Sequence, residues 1–154
     1  MEQTVLAYVL AGIGLGLMVG LCGVGSAIGL VISGSCVIGG LKKRPDAFGS
    51  LLVASVLPST QGIYGFVGFF LYMNIVTPEI TMFKASMVLG AGIMLGLAGL
   101  ISAIYQGIVC AASVNAIGNG HDTLAPGMIM AALPEFYAIL ALVSSILLLF
   151  FKLQ

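Results

Sequence analysis

Residues 14–32 read GLGLMVGLCGVGSAIGLVI, and residues 90–108 read GAGIMLGLAGLISAIYQGI. Laid over one another at a shift of 76 residues, without a gap, they agree at ten of nineteen positions. The identical positions in the first copy are Gly14, Gly16, Met18, Gly20, Leu21, Gly23, Ser26, Ala27, Ile28 and Ile32. Chance in so biased a composition gives roughly two or three, so the chain carries an internal duplication. The register persists outward, with Asp46 falling on Asp122 and Leu57-Pro58 on Leu133-Pro134.

Composition indicates the nature of the repeated unit. Of 154 residues, 60% are apolar and 6% charged, with a formal net charge of zero. Ordinary soluble domains carry about 25% charged residues, so a water-soluble monomer could not cover its surface with polar groups. Five cations cannot make the basic face that nucleic acid requires. A secreted disulfide scaffold is excluded as well, because Cys22, Cys36 and Cys110 are odd in number and lie in apolar runs. Charges and turn residues leave four such runs: Thr4 to Leu41, Ala47 to Ile75, Met82 to Ile117 and Thr123 to Phe151. A bilayer core needs about 20 apolar residues in a helix, so each run makes one crossing. The first and third are longer, and they project beyond the hydrocarbon or tilt.

The expected fold is therefore an all-α membrane protein of four transmembrane helices, arranged as two tandem hairpins. Residues 1–76 hold the first hairpin and residues 77–154 the second. Two-helix repeats keep the same orientation, unlike the inverted repeats of many transporters. Met1-Glu2-Gln3-Thr4 lacks the positive charge of a cleavable signal, and the run after it is too long for a signal core. Both hairpin loops then lie on one side and both termini on the other. The triplet Lys42, Lys43 and Arg44 places the loops in the cytoplasm, against Lys84 and Lys152 on the opposite side.

Glycines recur at helical spacing in the first helix of each half: Gly12, Gly16 and Gly20, then Gly25 and Gly29, with Gly92 and Gly96 in the second copy. In lipid such spacing lets helix backbones approach closely. It suits the crowded inner wall of a homo-oligomeric ring, and ordinary packing in a lone four-helix bundle accommodates it too. Gly23-Val24-Gly25 follows no soluble strand, so it is not read as a dinucleotide-binding turn.

Against this background the polar residues stand out. Glu135 is the one carboxylate deep within a predicted span, where a charge costs about 2.5–3.5 kcal/mol on insertion scales. Thr60, Gln61, Tyr64 and Gln106 are the polar neutral residues that accompany it. Thr60 and Gln61 stand 15 and 16 residues beyond Pro45; Gln106 stands 15 before His121 and Glu135 14 after it. At 1.5 Å per residue all four lie about 21–24 Å from their turns. Leu57, Thr60, Gln61 and Tyr64 follow the i, i+3, i+4, i+7 pattern and share a face. Pro58 has no amide hydrogen to bond the Ala54 carbonyl and disturbs its turn, and Pro134 is expected to do the same beside Glu135. A carboxylate, a hydroxyl, two amides and a freed carbonyl form an oxygen-rich pocket suited to a hard cation. The duplication does not repeat this set: Glu135 falls on Ser59, Gln61 on Tyr137 and Gln106 on Leu30. One site per chain is therefore expected. The plainer alternative is that Gln and Thr cross-link helices while Glu135 stays protonated.

Three segments now resemble a known family. Leu57-Pro58-Ser59-Thr60-Gln61-Gly62-Ile63-Tyr64-Gly65-Phe66-Val67, Ala103-Ile104-Tyr105-Gln106-Gly107 and Pro134-Glu135-Phe136-Tyr137-Ala138-Ile139-Leu140 are similar to motifs of the V-type rotary ATPase proteolipid, the rotor-ring subunit. Within that family they look like its bacterial sodium-pumping branch. The resemblance implies Na+ ligands at the Leu57 carbonyl, Thr60, Gln61, Gln106 and Glu135, with Tyr64 closing the site over Glu135. It implies a ring of identical chains, a stator membrane subunit and a central stalk as partners. It also implies rotation that carries one Na+ per chain, the bound ion neutralising Glu135 while it faces lipid. ATP chemistry would belong to other subunits, since this chain has no phosphate-binding loop and no catalytic site of its own.

Two other functions compete. The same rotor carrying protons would need Glu135 alone. A small proton-coupled exporter of lipophilic cations would want aromatic residues around a cation, and the chain has no Trp. His121, alone in its Asn-Gly-His-Asp loop, reads as a solvated turn residue, and the cysteines read as small apolar packing groups.

Overall fold

Each apolar run becomes a helical crossing, and two of the four are interrupted or modified in ways that matter for function. The computed structural model describes residues 2–153; Met1, Gln154 and the side chain of Lys152 lie outside the described residues. Helix α1 is Glu2–Lys43. The second span comprises α2, Phe48–Ser55, and α3, Thr60–Tyr72. Helix α4 is Met82–Gly118 and α5 is Leu124–Leu148. By length and composition the four spans Glu2–Lys43, Pro45–Ile75, Met82–Gly118 and Leu124–Phe151 can each cross a bilayer. The all-α, four-span architecture expected from the sequence is what the chain adopts.

Helices α1 and α4 run side by side in the same direction, and glycines set their separation. A Cβ on Gly14 would stand 2.6 Å from the Val88 carbonyl oxygen. One on Gly107 would stand 2.5 Å from the Gly29 oxygen, and one on Gly118 2.9 Å from Gly40 Cα. No side chain fits in such a seam, so backbone meets backbone along nearly the full length of both helices. Dispersion between close backbones is the principal glue available, because lipid tails are as apolar as any side chain. Helix α3 packs on α1, where a Cβ on Gly62 would lie 3.2 Å from Ser26 Oγ. Near the termini, the Tyr72 hydroxyl donates to the Ser145 carbonyl at 2.7 Å and ties α3 to α5.

The second span breaks at the expected proline. A 3₁₀ turn at Leu57–Ser59 separates α2 from α3, with Ser59 N–H bonded to the Val56 carbonyl at 3.1 Å. That tighter pattern leaves the Ser55 carbonyl without its helical partner, and Ser33 on α1 donates to it at 2.7 Å. Pro134 behaves otherwise, contrary to the expectation from sequence: α5 continues through it without interruption. The neighbouring helix bonds to this turn. Gln106 Nε2 donates to the Ala131 carbonyl at 3.0 Å, and Ser102 Oγ donates to the Pro134 carbonyl at 2.9 Å. These bonds brace the turn around the missing amide, and the fourth span carries its proline without a break.

The loop after α4 explains where that helix stops. Gly120 has φ of 93°, a left-handed conformation open to glycine. His121 N–H then reaches back to the Ala116 carbonyl and Gly120 N–H to Ile117, which is a Schellman closure. His121 is exposed in this turn.

Candidate ion-binding site

The break at Pro58 creates the first half of the site. Because α3 restarts at Thr60, its first amides have no intrahelical acceptors. Gly62 N–H is taken by Ser26 Oγ of α1 at 2.8 Å. The Leu57 carbonyl accepts from the Thr60 amide and lies 3.1 Å from the Thr60 hydroxyl. The same hydroxyl lies 3.3 Å from Gln61 Oε1. A cation with oxygen ligands at about 2.4 Å holds adjacent octahedral oxygens about 3.4 Å apart. Leu57 O, Thr60 Oγ1 and Gln61 Oε1 are therefore clustered at close to ligand spacing.

Helices α4 and α5 supply the other half. Glu135, half-buried, receives two hydrogen bonds: Tyr64 OH donates to Oε1 at 2.6 Å and Gln106 Nε2 to Oε2 at 3.0 Å. Gln61 Nε2 donates to Gln106 Oε1 at 2.8 Å and to Ser102 Oγ at 3.0 Å. Gln61 and Gln106 are completely buried, at 0% exposure, so these amides have no water to fall back on. Among the described residues every buried side-chain nitrogen and oxygen has a partner. The network runs without a gap from Thr60 through Gln61 and Gln106 to Glu135 and back to Tyr64.

All the residues singled out from sequence thus meet around one locus: Leu57, Thr60, Gln61 and Tyr64 from the second span, Gln106 from α4 and Glu135 from α5. Pro58 sits at the break beside Gly29, where a Cβ on that glycine would stand 2.7 Å from Pro58 Cβ. Pro134 contributes its carbonyl to Ser102 instead of opening a turn. Two further residues, Ser26 and Ser102, belong to the site without having been singled out by sequence. They are an aligned, identical pair in the duplication, and a hydroxyl preserved within a glycine stripe was the available signal.

Chemically, the locus offers one negative charge and several neutral oxygens. One carboxylate balances one positive charge, and a divalent ion would be left with net charge. Among the described residues no three His, Cys, Asp or Glu side chains gather as a multivalent metal would want.

Comparison with known proteins agrees with this architecture. A family model for the ATP synthase C subunit matches residues 13–72 and again residues 89–148, once in each hairpin. The chain belongs to the ATP synthase C-subunit family. The A-type ATP synthase subunit K of Methanocaldococcus jannaschii is 40% identical over 92% of this chain and 62% of its own length. The V-type sodium ATPase subunit K of Enterococcus hirae is 36% identical over 82% of this chain and 81% of its own. The 16 kDa proteolipid of the V-type proton ATPase of Rattus norvegicus is 32% identical over 69% and 68%. The chain thus spans less than two thirds of the archaeal relative. The resemblance drawn from the three motifs to rotary-ATPase proteolipids holds at the level of the family.

Proposed function

We propose that this chain is the rotor-ring subunit of a rotary ATPase and carries one Na+ across the membrane at Glu135. The observation that carries the reading is the buried network joining Glu135 to Thr60, Gln61 and Gln106. A proton needs only the carboxylate, whereas sodium must replace its water shell with oxygens. Leu57 O, Thr60 Oγ1, Gln61 Oε1 and Glu135 would serve as ligands. Gln106 would join through its amide oxygen, the atom that accepts from Gln61 Nε2 in the structure. Tyr64 would hold Glu135 in place through its hydroxyl.

The mechanism is electrostatic. An ionised Glu135 facing lipid costs several kcal/mol, about 2.5–3.5 on insertion scales, and a bound sodium removes that cost. At a stator subunit, a basic group attracts Glu135 and releases the ion; a new ion binds before the site returns to lipid. The ring consists of copies of this chain. The hairpin loops, with Lys42, Lys43 and Arg44, face the cytoplasm and meet a central stalk, and both termini lie on the opposite side.

The decisive experiment is carbodiimide labelling of the purified protein at mildly acidic pH, with and without sodium. The reagent attacks a protonated carboxyl, and a coordinated ion keeps Glu135 ionised and shielded. Labelling at Glu135 that sodium suppresses is the expected result. Labelling indifferent to sodium would transfer the assignment to the proton-carrying rotor, which the match to a proton ATPase proteolipid keeps in view.

A further inference from the structure

Gln61 is fully buried on α3, with an oxygen at one end of its amide and two hydrogens to donate at the other. Oε1 lies 3.3 Å from the Thr60 hydroxyl, within the cluster of oxygens spaced for a cation. Turned over, the same amide would point N–H groups into that cluster and repel the ion. The two orientations have nearly the same shape, so packing does not choose between them. Hydrogen-bond polarity does, and it can be followed outward to groups that have no choice of their own.

The first such group is the Pro134 carbonyl, which can only accept. Ser102 Oγ stands 2.9 Å from it and spends its one hydrogen on that bond. What Ser102 presents on its other side is lone pairs, and Gln61 Nε2, 3.0 Å away, supplies the donor that they require. The second route runs through Gln106. Its Nε2 donates to the Ala131 carbonyl and to Glu135 Oε2, both at 3.0 Å, which leaves Oε1 to accept from Gln61 Nε2 at 2.8 Å. The two hydrogens of the Gln61 amide therefore have two fixed acceptors, and its oxygen is left for the cluster. The aligned serine of the first hairpin is used differently, since Ser26 Oγ accepts the backbone amide of Gly62.

We propose that Ser102 is a positioning residue for the ion: it relays the polarity of the Pro134 carbonyl and so holds the Gln61 amide with Oε1 toward the cation. This deepens the sodium reading given above and rests on it. Ser102 acts without touching the ion. Its hydroxyl on α4 ties a ligand on α3 to the turn of α5 that bears Glu135. Without that hydroxyl one hydrogen of a fully buried amide has no acceptor, and leaving it unpaired is costly. The amide is then drawn toward the Leu57 carbonyl and the Thr60 hydroxyl, where its N–H competes with the cation for the same oxygens.

The test is the sodium concentration that half-protects Glu135 from carbodiimide in the purified full chain. Ser102→Ala is expected to raise it about tenfold, the lower end of the range for losing a group that orients a metal ligand. Ser102→Thr keeps the hydroxyl and is expected to recover most of that loss. Ser145→Ala removes a buried hydroxyl bonded within α5 to the Ala141 carbonyl, and is expected to leave the value where it was. Because Ser102 acts through Gln61, adding Ser102→Ala to Gln61→Leu should raise the concentration no further than Gln61→Leu alone. A Ser102→Ala protein that loses thermal stability at an unchanged half-protecting concentration would overturn the assignment. So would a Ser102→Thr protein as weak as Ser102→Ala, an equal rise in Ser145→Ala, or losses that add in the double variant. A parent protein that sodium does not protect at all would instead remove the sodium reading, and this role with it.

Discussion

The two hairpins descend from one sequence and differ most where they matter most. Each has a proline after a leucine, at Pro58 and Pro134, and each has a serine on the preceding long helix, at Ser26 and Ser102. In the first hairpin the helix breaks, and Ser26 accepts the Gly62 amide that the break strands. In the second the helix continues, and Ser102 is free to bond the Pro134 carbonyl and receive Gln61. The carbonyl three residues before each proline is satisfied in both, by Ser33 at Ser55 and by Gln106 at Ala131. The lesson is that a proline removes a donor without by itself dictating the local outcome. Beside the same lost amide, the neighbouring helix gives different hydrogen bonds in the two copies. On the proposed function, the broken copy supplies oxygens and the intact copy the carboxylate.

If that division is right, the largest effect belongs to Glu135→Gln. It should abolish carbodiimide labelling and sodium-dependent transport, and adding Ser59→Glu, at the matching place in the first hairpin, should restore neither. The residues that align with Gln106, Gln61 and Tyr64 are Leu30, Tyr137 and Leu140, which cannot rebuild the network. Recovery in the double variant would break the comparison, since it would mean that the scaffold alone makes a site. Next in size, Gly92→Val should prevent the chain from folding, because its Cβ would run into the Gly14 backbone. A penalty of about 3 kcal/mol, the upper end of the usual range for overpacking, is expected because the neighbour is backbone. Gly16→Val, at the aligned position, should leave the folded chain as resistant to heat and protease in detergent as the parent, because nothing lies near it.

Gln106→Leu, which makes the second hairpin match Leu30 of the first, should weaken the site without emptying it. The sodium concentration that half-protects Glu135 from labelling is expected to rise about 10–100-fold, as when a partner that orients a ligand is lost. An unchanged value would return Gln106 to a purely structural part. The smallest effect is assigned to Ser33→Val, which copies Val109 and leaves the Ser55 carbonyl unpaired. A loss of about 1 kcal/mol in thermal stability is expected, with the ion affinity nearly intact. A large fall in affinity would instead show that Ser33 helps to hold the broken turn open.

Much of this is legible in the sequence. Hydropathy and the charges at Lys42, Asp46, Glu79 and Asp122 delimit the spans, because a bilayer imposes a length that sequence reports directly. Counting from Pro45 and His121 brings Thr60, Gln61, Gln106 and Glu135 to one level, because helices convert residue number into depth. The fate of Pro134 is not legible, since Gln106 and Ser102, which bond to its turn, stand on another helix. Nor is the sorting of glycines. Gly14 and Gly16 look alike in the sequence, yet the first abuts Val88 and the second faces open space. Helical periodicity identifies a face, but the partner that occupies it is a property of the assembled structure.

A ring of n such chains has 2n hairpins and only n carboxylates deep within a span, since Ser59 stands where the second hairpin has Glu135. On the proposed function, one full turn then moves n charges instead of 2n. Each charge carried against 100 mV costs about 2.3 kcal/mol. For a fixed input of work per turn, halving the charges doubles the voltage against which rotation can still proceed. On that function, Ser59 in place of a carboxylate acts as a change of gear, trading ions per revolution for the steepness of the gradient that can be held.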